Sequence, residues 1–386
     1  MHQLIHVFYQ DQPAGIFDID ATERIGRFEW LPAFQNAFSS MTDANETRGT
    51  SRYTTFDVNC DLPALFKDHL PGAFSKALLK EALRNSSRAV ESLSTVSFLS
   101  LIGDRGMGAF RFEPAGYPEL SAVEPIDLDR MVRFANLIWQ DKGAELSERR
   151  LRGLLRCGLF VRGTSPKLLV AINDYTGEVL SGQGIYPSGF DGWILKLDGV
   201  AAGSAEKLAE EFDYYKKAMA CGMQVSPCRI LRDGHWKHLL VKRFDRISGE
   251  KRAFVSYMDD ESSWEAVFRR MRHWRLPYPD MEEMYKRMLF SILTNNRAYD
   301  PSKICFTFSI KEGWRLAPAF NLKPSADKEM FCFSLFGKRI DWSEEELLLF
   351  GKQMNIRKAK GIYSTLTTYI CPDSECVTTT VTPLSM

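Results

Sequence analysis

Three short apolar runs in the middle of the chain constrain its fold more than any other feature. They lie at Leu168–Asn173, Trp193–Lys196 and His238–Phe244, with polar segments between them. Runs of this length are typical of β-strands. From 260 to 295 the apolar spacing becomes helical, most clearly in MYKRMLFSILTNN. The sequence therefore predicts an α+β fold in which a β-rich middle precedes a helical C-terminal region.

The flanking segments add hairpins and helices to this outline. Residues 3–17 alternate apolar and polar side chains in part, which predicts a β-hairpin with its turn at Gln12–Gly15. A helix predicted at 204–221 has apolar residues at i, i+4 spacing, and Gly222 is suited to cap its C-terminus. The other predicted elements are helices at 127–142 and 146–155, a strand at Cys228–Leu231, and a hairpin of Ile304–Ile310 with Trp314–Leu316.

The composition is that of an ordinary globular chain and excludes several classes of protein. Its 386 residues are 45% hydrophobic and 26% charged, which is enough for two or three packed units. Lys and Arg number 50 against 49 for Asp and Glu, so no global basic field predicts direct binding of nucleic acid. The N-terminus does not have the pattern of a signal peptide, and no apolar run is long enough for a membrane span. We expect a cytoplasmic protein.

The eight cysteines predict no metal site. Only Cys371 and Cys376 lie close together, and the segment CPDSEC has no matching His or Cys pair nearby. Structural zinc sites need such a second pair. Free thiols in a reducing compartment are therefore the better interpretation.

Several segments, taken in order, resemble the HipA family of serine/threonine kinases. The segment VFYQDQPAGIFDIDATERIGRFEWLP resembles the opening module of that family, and LPALFKDHLPGAFSKALL is similar to its LPgxFxDsLPdxwgxxLL signature. The resemblance continues collinearly, to about residue 368, through GDRGMGAFRFEP, FVRGTSPKLLVAIND, GWILKLDG, EEFDYYKKAMACGM, HLLVKRFDR and GWRLAPAFNLKPSA. One such motif is weak evidence, whereas seven or eight in the same order indicate a shared fold.

The resemblance implies a bilobal fold like that of protein kinases. It implies a mixed β module at 1–120, a nucleotide-binding N-lobe with its own sheet at 121–250, an all-helical C-lobe at 251–370 and a flexible tail at 371–386. It also implies ATP in the cleft. The implied partner is a HipB-like helix-turn-helix antitoxin or a related toxin subunit, and DNA would be reached only through that partner.

Phosphoryl transfer needs a phosphate cradle, a lysine, metal ligands and a group that orients the nucleophile. The cradle candidate is the segment RGTSPK, which contains Gly163, Ser165 and Lys167. Its glycine lets backbone amides approach phosphate, and its lysine supplies charge. The preceding loop of the family is rich in Gly and Ser, whereas Leu159–Val161 is apolar here. A buried strand with a turn at Gly163 is the alternative interpretation.

Three further parts of the nucleotide site are implied by the resemblance. Lys196 ends an apolar run, where a lysine must reach solvent or meet an anion, and the family uses this position to neutralise ATP phosphates. Glu211 matches the glutamate of the following helix, which would pair with Lys196. The backbone near Lys242 and Phe244 matches the hinge strand that would contact adenine. The alternatives are a surface lysine, a surface glutamate and a plain edge strand.

The catalytic loop of the family has the pattern N-x-D-x-H-x-K-N, which aligns here with NRAYDPSK. Asn296 is retained, but Ala298 stands where the family has the aspartate that orients the nucleophile, and Lys303 stands where it has a magnesium-binding asparagine. An alanine accepts no proton, and an ammonium cannot serve as a Mg²⁺ ligand. A shifted alignment makes Asp300 the candidate catalytic base but puts Cys305, a poor ligand for a hard cation, at the metal position.

The second metal ligand of the family is the aspartate of L-x-P-x-Y-D. The matching run LAPAFN ends at Asn321, the candidate metal ligand, which keeps an oxygen but lacks the charge. These replacements argue against Mg²⁺ as a cofactor and leave ATP binding open. A fixed ammonium at Lys303 could neutralise a bound phosphate and allow nucleotide binding without metal. The alternative is an exposed loop lysine.

Three functional hypotheses remain. The first is a pseudokinase that acts as a regulatory or binding component of the toxin–antitoxin type. The second is an active serine/threonine kinase with a rewired site that uses Asp300. The third is a nucleotidyl transferase, for which no residue provides support.

Overall fold

The structure, a computed structural model, describes residues 2–20, 22–42, 53–58, 62–84, 93–158, 163, 165–247, 250–258, 261–325 and 328–370. The chain divides into two compact units. The first unit comprises Met1–Ala209, Ser226–Val255 and Thr307–Lys311, and the second comprises Glu210–Val225, Ser256–Phe306 and Glu312–Met386. The domain boundaries implied by the resemblance remain predictions, and the expected tail at 371–386 lies outside the described residues.

An antiparallel five-stranded sheet forms the N-terminal part of the first unit. Its strands are β1 His2–Tyr9, β2 Gln12–Asp20, β3 Ile25–Trp30, β4 Tyr53–Asp57 and β5 Phe110–Glu113, in the order β4-β3-β2-β1-β5. Buried and more exposed residues alternate along β3, as in a sheet with one face on a core. Phe17, Phe28 and Phe66 lie at the centre of that core, with ring centroids 4.6, 5.1 and 4.9 Å apart.

The predicted N-terminal hairpin is present, but its turn lies earlier than the sequence pattern indicates. Tyr9 pairs with Gln12, so the turn begins at Gln10, which adopts a left-handed φ of 54°. Gly15 lies within β2, where a Cβ atom would come within 2.7 Å of the Glu29 carbonyl oxygen. The prediction of a turn at Gly15 was therefore wrong, because this glycine permits two strands to approach closely.

Seven helices of the first unit precede its second sheet in the described residues. They are α1 Pro32–Ala37, α2 Ser39–Thr42, α3 Ala64–Lys67, α4 Ala73–Leu83, α5 Ser97–Ile102, α6 Leu128–Trp139 and α7 Glu148–Gly158. The predicted helices at 127–142 and 146–155 correspond to α6 and α7. Asp127 caps α6 by accepting a hydrogen bond from the Arg130 amide at 3.1 Å. In the described part of the chain, no helix is long and apolar enough to span a bilayer.

A second five-stranded antiparallel sheet completes the first unit. Its strands are β6 Lys167–Ile172, β7 Val179–Ser181, β8 Asp191–Lys196, β9 Cys228–Asp233 and β10 Trp236–Lys242, in the order β7-β6-β8-β10-β9. Every residue of β6 is buried, which explains its continuous apolar sequence. The three apolar runs thus correspond to β6, β8 and β10, although Phe244 lies beyond the end of β10.

Helix α8, Ser204–Ala220, follows β8 and ends at the predicted glycine. Gly222 has a φ of 69°, and its amide donates to the Met219 carbonyl at 2.9 Å. The Met223 amide donates to the Ala218 carbonyl at 3.1 Å. This pair of hydrogen bonds is a Schellman motif, so the glycine ends the helix as its left-handed conformation predicts.

A buried ion cluster holds the segment that follows β10. Asp245 accepts hydrogen bonds from Arg243, Arg246 and the Gly108 amide, at distances between 2.6 and 3.0 Å. Arg243 also donates to the Gly182 carbonyl at 2.7 Å. Burial acts to raise the pKa of Asp245, but the two guanidinium groups outweigh it and hold that pKa well below its usual range. The motif RFDR therefore connects three loops of the first unit.

The described residues of the second unit contain four further helices besides most of α8. They are α9 Trp264–His273, α10 Tyr278–Leu293, α11 Glu344–Gln353 and α12 Ala359–Ile370. Arg287 of α10 is buried and donates to Glu283 at 2.9 Å and to the Ala317 carbonyl at 2.8 Å. The Gln224 amide donates to the same carboxylate at 3.0 Å. One buried ion pair thus secures two chain segments against α10.

The region 251–370 is not all helical, contrary to the implication of the resemblance. It contains β13 Ala253–Ser256, β14 Cys305–Ser309 and β15 Gly313–Leu316, which form a three-stranded sheet in that order. The short pair β11 Arg246–Ile247 and β12 Glu250–Lys251 precedes it. The predicted hairpin near 304–316 corresponds to β14 and β15. The chain passes between the two units within β13 and β14.

Candidate functional site

The predicted phosphate cradle is described at Gly163 and from Ser165 onward, whereas residues 159–162 and 164, with the apolar Leu159–Val161, lie outside the described residues. Gly163 has a φ of 100°, and a Cβ atom there would lie 2.3 Å from Lys167 Nζ. The missing side chain leaves the space into which the ammonium reaches. The structure therefore brings these two predicted site residues together. Ser165 is half-buried and lies just before β6.

Two predicted site lysines lie opposite each other on adjacent strands. Lys167 begins β6 and Lys196 ends β8, and the two are register partners with exposed fractions of 8% and 4%. Directly opposed residues project from the same face of a sheet, and like charges in such positions are destabilising. Buried cations are stable when an anionic group balances them. Lys196 is therefore not a surface lysine, and the two predicted phosphate-binding lysines lie side by side on one face of the sheet.

Polar groups of the predicted adenine-binding segment form hydrogen bonds and an ion pair within the protein. The Lys242 amide donates to the Pro227 carbonyl at 2.7 Å, and its ammonium pairs with Asp191 at 2.8 Å. Phe244 is buried and packs edge-on against Phe254, with ring centroids 5.5 Å apart. Both residues thus have packing roles within the first unit, and their contact with adenine remains a prediction.

The end of α10 positions the first residue of the predicted catalytic loop. Asn295 adopts a left-handed φ of 52°, and its amide donates to the Ile292 carbonyl at 3.0 Å. The Asn296 amide donates to the Ser291 carbonyl at 2.8 Å. These bonds form a second Schellman motif, which reverses the chain directly after the helix. Asn296 is thereby turned inward and buried.

The side chain of Asn296 ties this loop to its surroundings in the second unit. Its Nδ2 donates to the Tyr214 hydroxyl at 3.0 Å and to the Lys323 carbonyl at 2.9 Å. Burial raises the pKa of Tyr214 to about 12, so the hydroxyl stays protonated and donates or accepts hydrogen bonds. The hydrogen bonds of Asn296 therefore link α8, the loop and the segment after β15.

Lys303 is buried, with an exposed fraction of 9%, and its ammonium donates to the Ala298 carbonyl at 2.8 Å. The interpretation of Lys303 as an exposed loop lysine is therefore wrong. Burial lowers its pKa. Asp300, the alternative catalytic base, accepts a hydrogen bond from the Ser302 amide at 2.9 Å and caps a short turn at Pro301–Lys303. The methyl group of Ala298 offers no proton acceptor.

The predicted glutamate and the second metal position lie in the same unit as this loop. Glu211 has an exposed fraction of 1%, so it is not a surface glutamate, and its Oε2 lies 3.9 Å from Lys323 Nζ. Its pairing with Lys196 remains a prediction. Asn321 adopts a left-handed φ of 51° two residues before Lys323. A carboxamide in this conformation is well tolerated, because short polar side chains stabilise it locally.

The donor set of this loop does not suit Mg²⁺. A magnesium site needs oxygen ligands, whereas Lys303 places an ammonium at one ligand position and Asn321 offers a neutral amide at the other. An ammonium and Mg²⁺ about 4 Å apart repel each other by roughly 8 kcal/mol at an effective dielectric constant of about 20. Among the described residues, no three His, Cys, Asp or Glu side chains are grouped to hold a metal.

Three residues of the first unit are the ones that would hold the phosphates of a nucleotide. Gly163 opens space beside Lys167, and Lys196 adds a second buried cation on the same face of the sheet. These groups would hold and neutralise phosphate oxygens. At Lys242 and Phe244, the described residues show no comparable arrangement of groups that would bind an adenine base.

Sequence reasoning missed two residues that shape the loop. Tyr214 bonds to both Thr294 and Asn296, and it lies three residues after Glu211, hence on the same face of α8. That spacing was the available signal. Lys323 pairs with Glu211 although it lies far along the chain, and no local pattern marks it.

Comparison with models of known families identifies the family of this chain. The HipA-like C-terminal domain matches residues 159–368, and the HipA N-terminal domain matches residues 5–113. The chain belongs to the HipA family. The first match alone covers more than half of its 386 residues. No curated protein matches this HipA-family chain.

Two solved structures give a measure of similarity to this HipA-family chain. The first belongs to the Shewanella oneidensis MR-1 toxin–antitoxin system, solved as a complex of HipA, HipB and operator DNA. It has 17% identity and a TM-score of 0.66, and the match covers 95% of this chain and 88% of that one. The second, the Helicobacter pylori proinflammatory kinase CtkA, has 8% identity, a TM-score of 0.35 and coverage of 48% and 88%.

The Shewanella comparison shows the fold. The predicted HipA-type, kinase-like α+β fold is thereby confirmed as a fold class. The roles of the individual site residues remain predictions.

Proposed function

We propose that this HipA-family chain is a pseudokinase, which binds a nucleotide but does not transfer its phosphoryl group. It acts in the cytoplasm as a regulatory or binding component of a complex of the toxin–antitoxin type. Ordinary kinase chemistry needs a carboxylate at the nucleophile and metal ions on the phosphates.

One observation carries the proposal. Lys303 stands at the family's metal-ligand position and donates a hydrogen bond to the carbonyl of Ala298, the residue at the family's base position. Neither residue can do the chemistry of the one it replaces. A positioned base contributes about 10²–10⁴ in rate, and metal ions supply much of the remaining charge stabilisation. The loss of both leaves binding as the function that the site supports.

Nucleotide binding is supported by the lysines of the first unit. Lys167 and Lys196 are buried register partners, and Gly163 leaves room beside the first of them. Such a pair would neutralise phosphate oxygens. Binding and transfer are therefore separable in this chain.

The partner that we propose is a HipB-like helix-turn-helix antitoxin or a related toxin subunit. Support comes from the Shewanella HipA, whose solved complex contains HipB and operator DNA. The chain itself has nearly balanced charge, with 50 Lys and Arg against 49 Asp and Glu. DNA would therefore be reached through the partner, without a membrane step.

The alternative is an active serine/threonine kinase that uses Asp300 as its base. The carboxylate is half-buried and lies in the turn that carries Lys303. Against this role, Asp300 accepts the Ser302 amide and is engaged as a turn cap. A proton acceptor already committed to the backbone is less available to a substrate hydroxyl.

A transfer assay with γ-labelled ATP separates the two functions. The full chain is incubated with its partner or with a general protein substrate, beside the variant Asp300→Asn. The pseudokinase proposal expects background incorporation from both proteins. Incorporation by the wild type that Asp300→Asn removes would establish the rewired kinase. Intact-mass measurement distinguishes a phosphoryl group from a larger nucleotidyl adduct.

A further inference from the structure

The catalytic loop contains a buried cation whose hydrogen-bond acceptor is neutral. The side chain of Lys303 is nine-tenths buried, and its ammonium donates to a neutral acceptor, the Ala298 carbonyl, at 2.8 Å. Within the described part of the chain, no carboxylate lies at hydrogen-bonding distance from this ammonium. An ammonium has three donors, so this position is incompletely satisfied.

Two acidic groups face Lys303, and both favour its charged form without accepting a hydrogen bond from it in the described part of the chain. Asp300 accepts the Ser302 amide at 2.9 Å as the cap of its turn. Glu211 lies 3.9 Å from the ammonium of Lys323, which is itself close enough to Lys303 to disfavour its charge. The remaining facing group is the thiol of Cys332. Lys303 therefore lies in the field of one further lysine and two carboxylates, and its own hydrogen bond goes to a neutral carbonyl.

A buried ammonium of this kind is stable when an anion completes its environment. Desolvation of a charge costs several kcal/mol, and proteins offset that cost by pairing the charge. The position is the one at which HipA kinases hold a metal ion on nucleotide phosphates. An ammonium there repels a divalent cation and attracts the phosphate directly.

We infer that Lys303 takes the place of the divalent metal, so that this chain binds nucleoside triphosphate in its metal-free form. The inference rests on the proposed nucleotide-binding function and adds the form of the ligand. No bond is made or broken, since the ammonium only neutralises phosphate oxygens. Lys303 is thus a binding residue of this chain rather than the remnant of a catalytic one.

The test is isothermal titration of the full chain with ATP, once in excess EDTA and once in Mg²⁺. Lys303→Asn restores the family's oxygen ligand, and Lys303→Arg keeps the positive charge. Lys311→Asn removes an exposed lysine from the turn after β14 and serves as the matched control. Circular dichroism of each variant verifies that it is folded.

The wild type should bind ATP roughly tenfold or more tightly in EDTA than in excess Mg²⁺, because Mg²⁺ converts the metal-free ligand into a complex that the Lys303 ammonium repels, and Lys303→Arg and Lys311→Asn should behave likewise. Lys303→Asn should lose about tenfold or more of its affinity in EDTA, a change of about 1.4 kcal/mol. Wild-type binding that is equally tight or tighter with Mg²⁺ would overturn the inference and leave nucleotide binding intact. Unchanged EDTA affinity in a folded Lys303→Asn would also overturn it. No ATP binding in either buffer would remove the proposed nucleotide function and this inference with it.

Discussion

Lys303 and Ala298 are joined by a hydrogen bond of 2.8 Å from the lysine ammonium to the alanine carbonyl, which ties the ends of one loop together. By the sequence resemblance, the two residues are predicted to occupy positions that kinases of the family use for a metal ligand and a catalytic carboxylate. The loop is thus held by its own side chain. Stability and function should both respond to changes at Lys303.

Lys303→Met should stabilise the free protein by about 1 kcal/mol at pH 7, because an apolar side chain avoids the desolvation of a buried charge. Burial lowers the pKa of Lys303 in the folded chain, so the folded state binds fewer protons than the unfolded state just below the ordinary lysine pKa. The free energy of unfolding of the wild type should therefore increase relative to that of Lys303→Met as the pH rises toward 10.5. Urea unfolding at pH 7 and pH 10 measures both effects, and a large destabilisation at pH 7 would contradict them.

The burial of His69 predicts that the free energy of unfolding decreases in mild acid. The histidine is fully buried, its two ring nitrogens have no hydrogen-bond partner in the described part of the chain, and burial lowers its pKa from 6.5 to about 4. Because the folded pKa is depressed, the unfolded state binds more protons between these values, and stability falls as the pH drops through that range. The contribution of this group is roughly 3 kcal/mol.

His69→Leu should flatten the pH dependence between 6.5 and 4, since it removes the group that must stay neutral. The matched control is His235→Leu, at an exposed histidine. Urea unfolding across this pH range provides the measurement. Parallel pH profiles for His69→Leu and the wild type would contradict the assignment.

The strands illustrate what the sequence could predict. Strands β6, β8 and β10 could be predicted because buried strands have short, continuous apolar sequences. The end of α8 could be predicted because Gly222 readily adopts the left-handed conformation of a helix cap. Gly15 was assigned to a turn because glycine serves both turns and close strand contacts. Its packing against Glu29 depends on a neighbouring strand that no local pattern identifies.

The residues of the candidate site could be predicted from the sequence, but their burial and contacts could not. The family pattern located Lys303, yet a lysine in a polar loop is usually exposed, and only the fold places its ammonium on the Ala298 carbonyl. The ion pair of Glu211 with Lys323 likewise joins residues from distant parts of the chain. Such contacts arise from tertiary packing, which periodicity does not encode.

Asp245→Asn should destabilise the first unit by about 3–5 kcal/mol, because it leaves the buried guanidinium groups of Arg243 and Arg246 without their carboxylate. Asp191→Asn is the matched control. It breaks the more exposed pair with Lys242 and should cost less than about 1 kcal/mol. Chemical denaturation of both variants tests this contrast, and similar losses from the two would contradict it.

Asp300 should act as a turn cap rather than as a base. Asp300→Ala should cost about 1 kcal/mol, because the Ser302 amide loses its acceptor, whereas Asp300→Asn keeps an acceptor oxygen and should cost little. Thermal unfolding of both variants gives the comparison. An equal loss from the two would indicate that the charge of Asp300 matters more than its hydrogen bond.

The central claim is that this HipA-family chain does not transfer phosphoryl groups, because Ala298 and Lys303 cannot do the work of a carboxylate and a metal ligand. The most direct measurement is incorporation of label from γ-labelled ATP in Mg²⁺, for the wild type beside Lys196→Ala. The account predicts the same background incorporation from both proteins. Wild-type incorporation clearly above that of Lys196→Ala would contradict it.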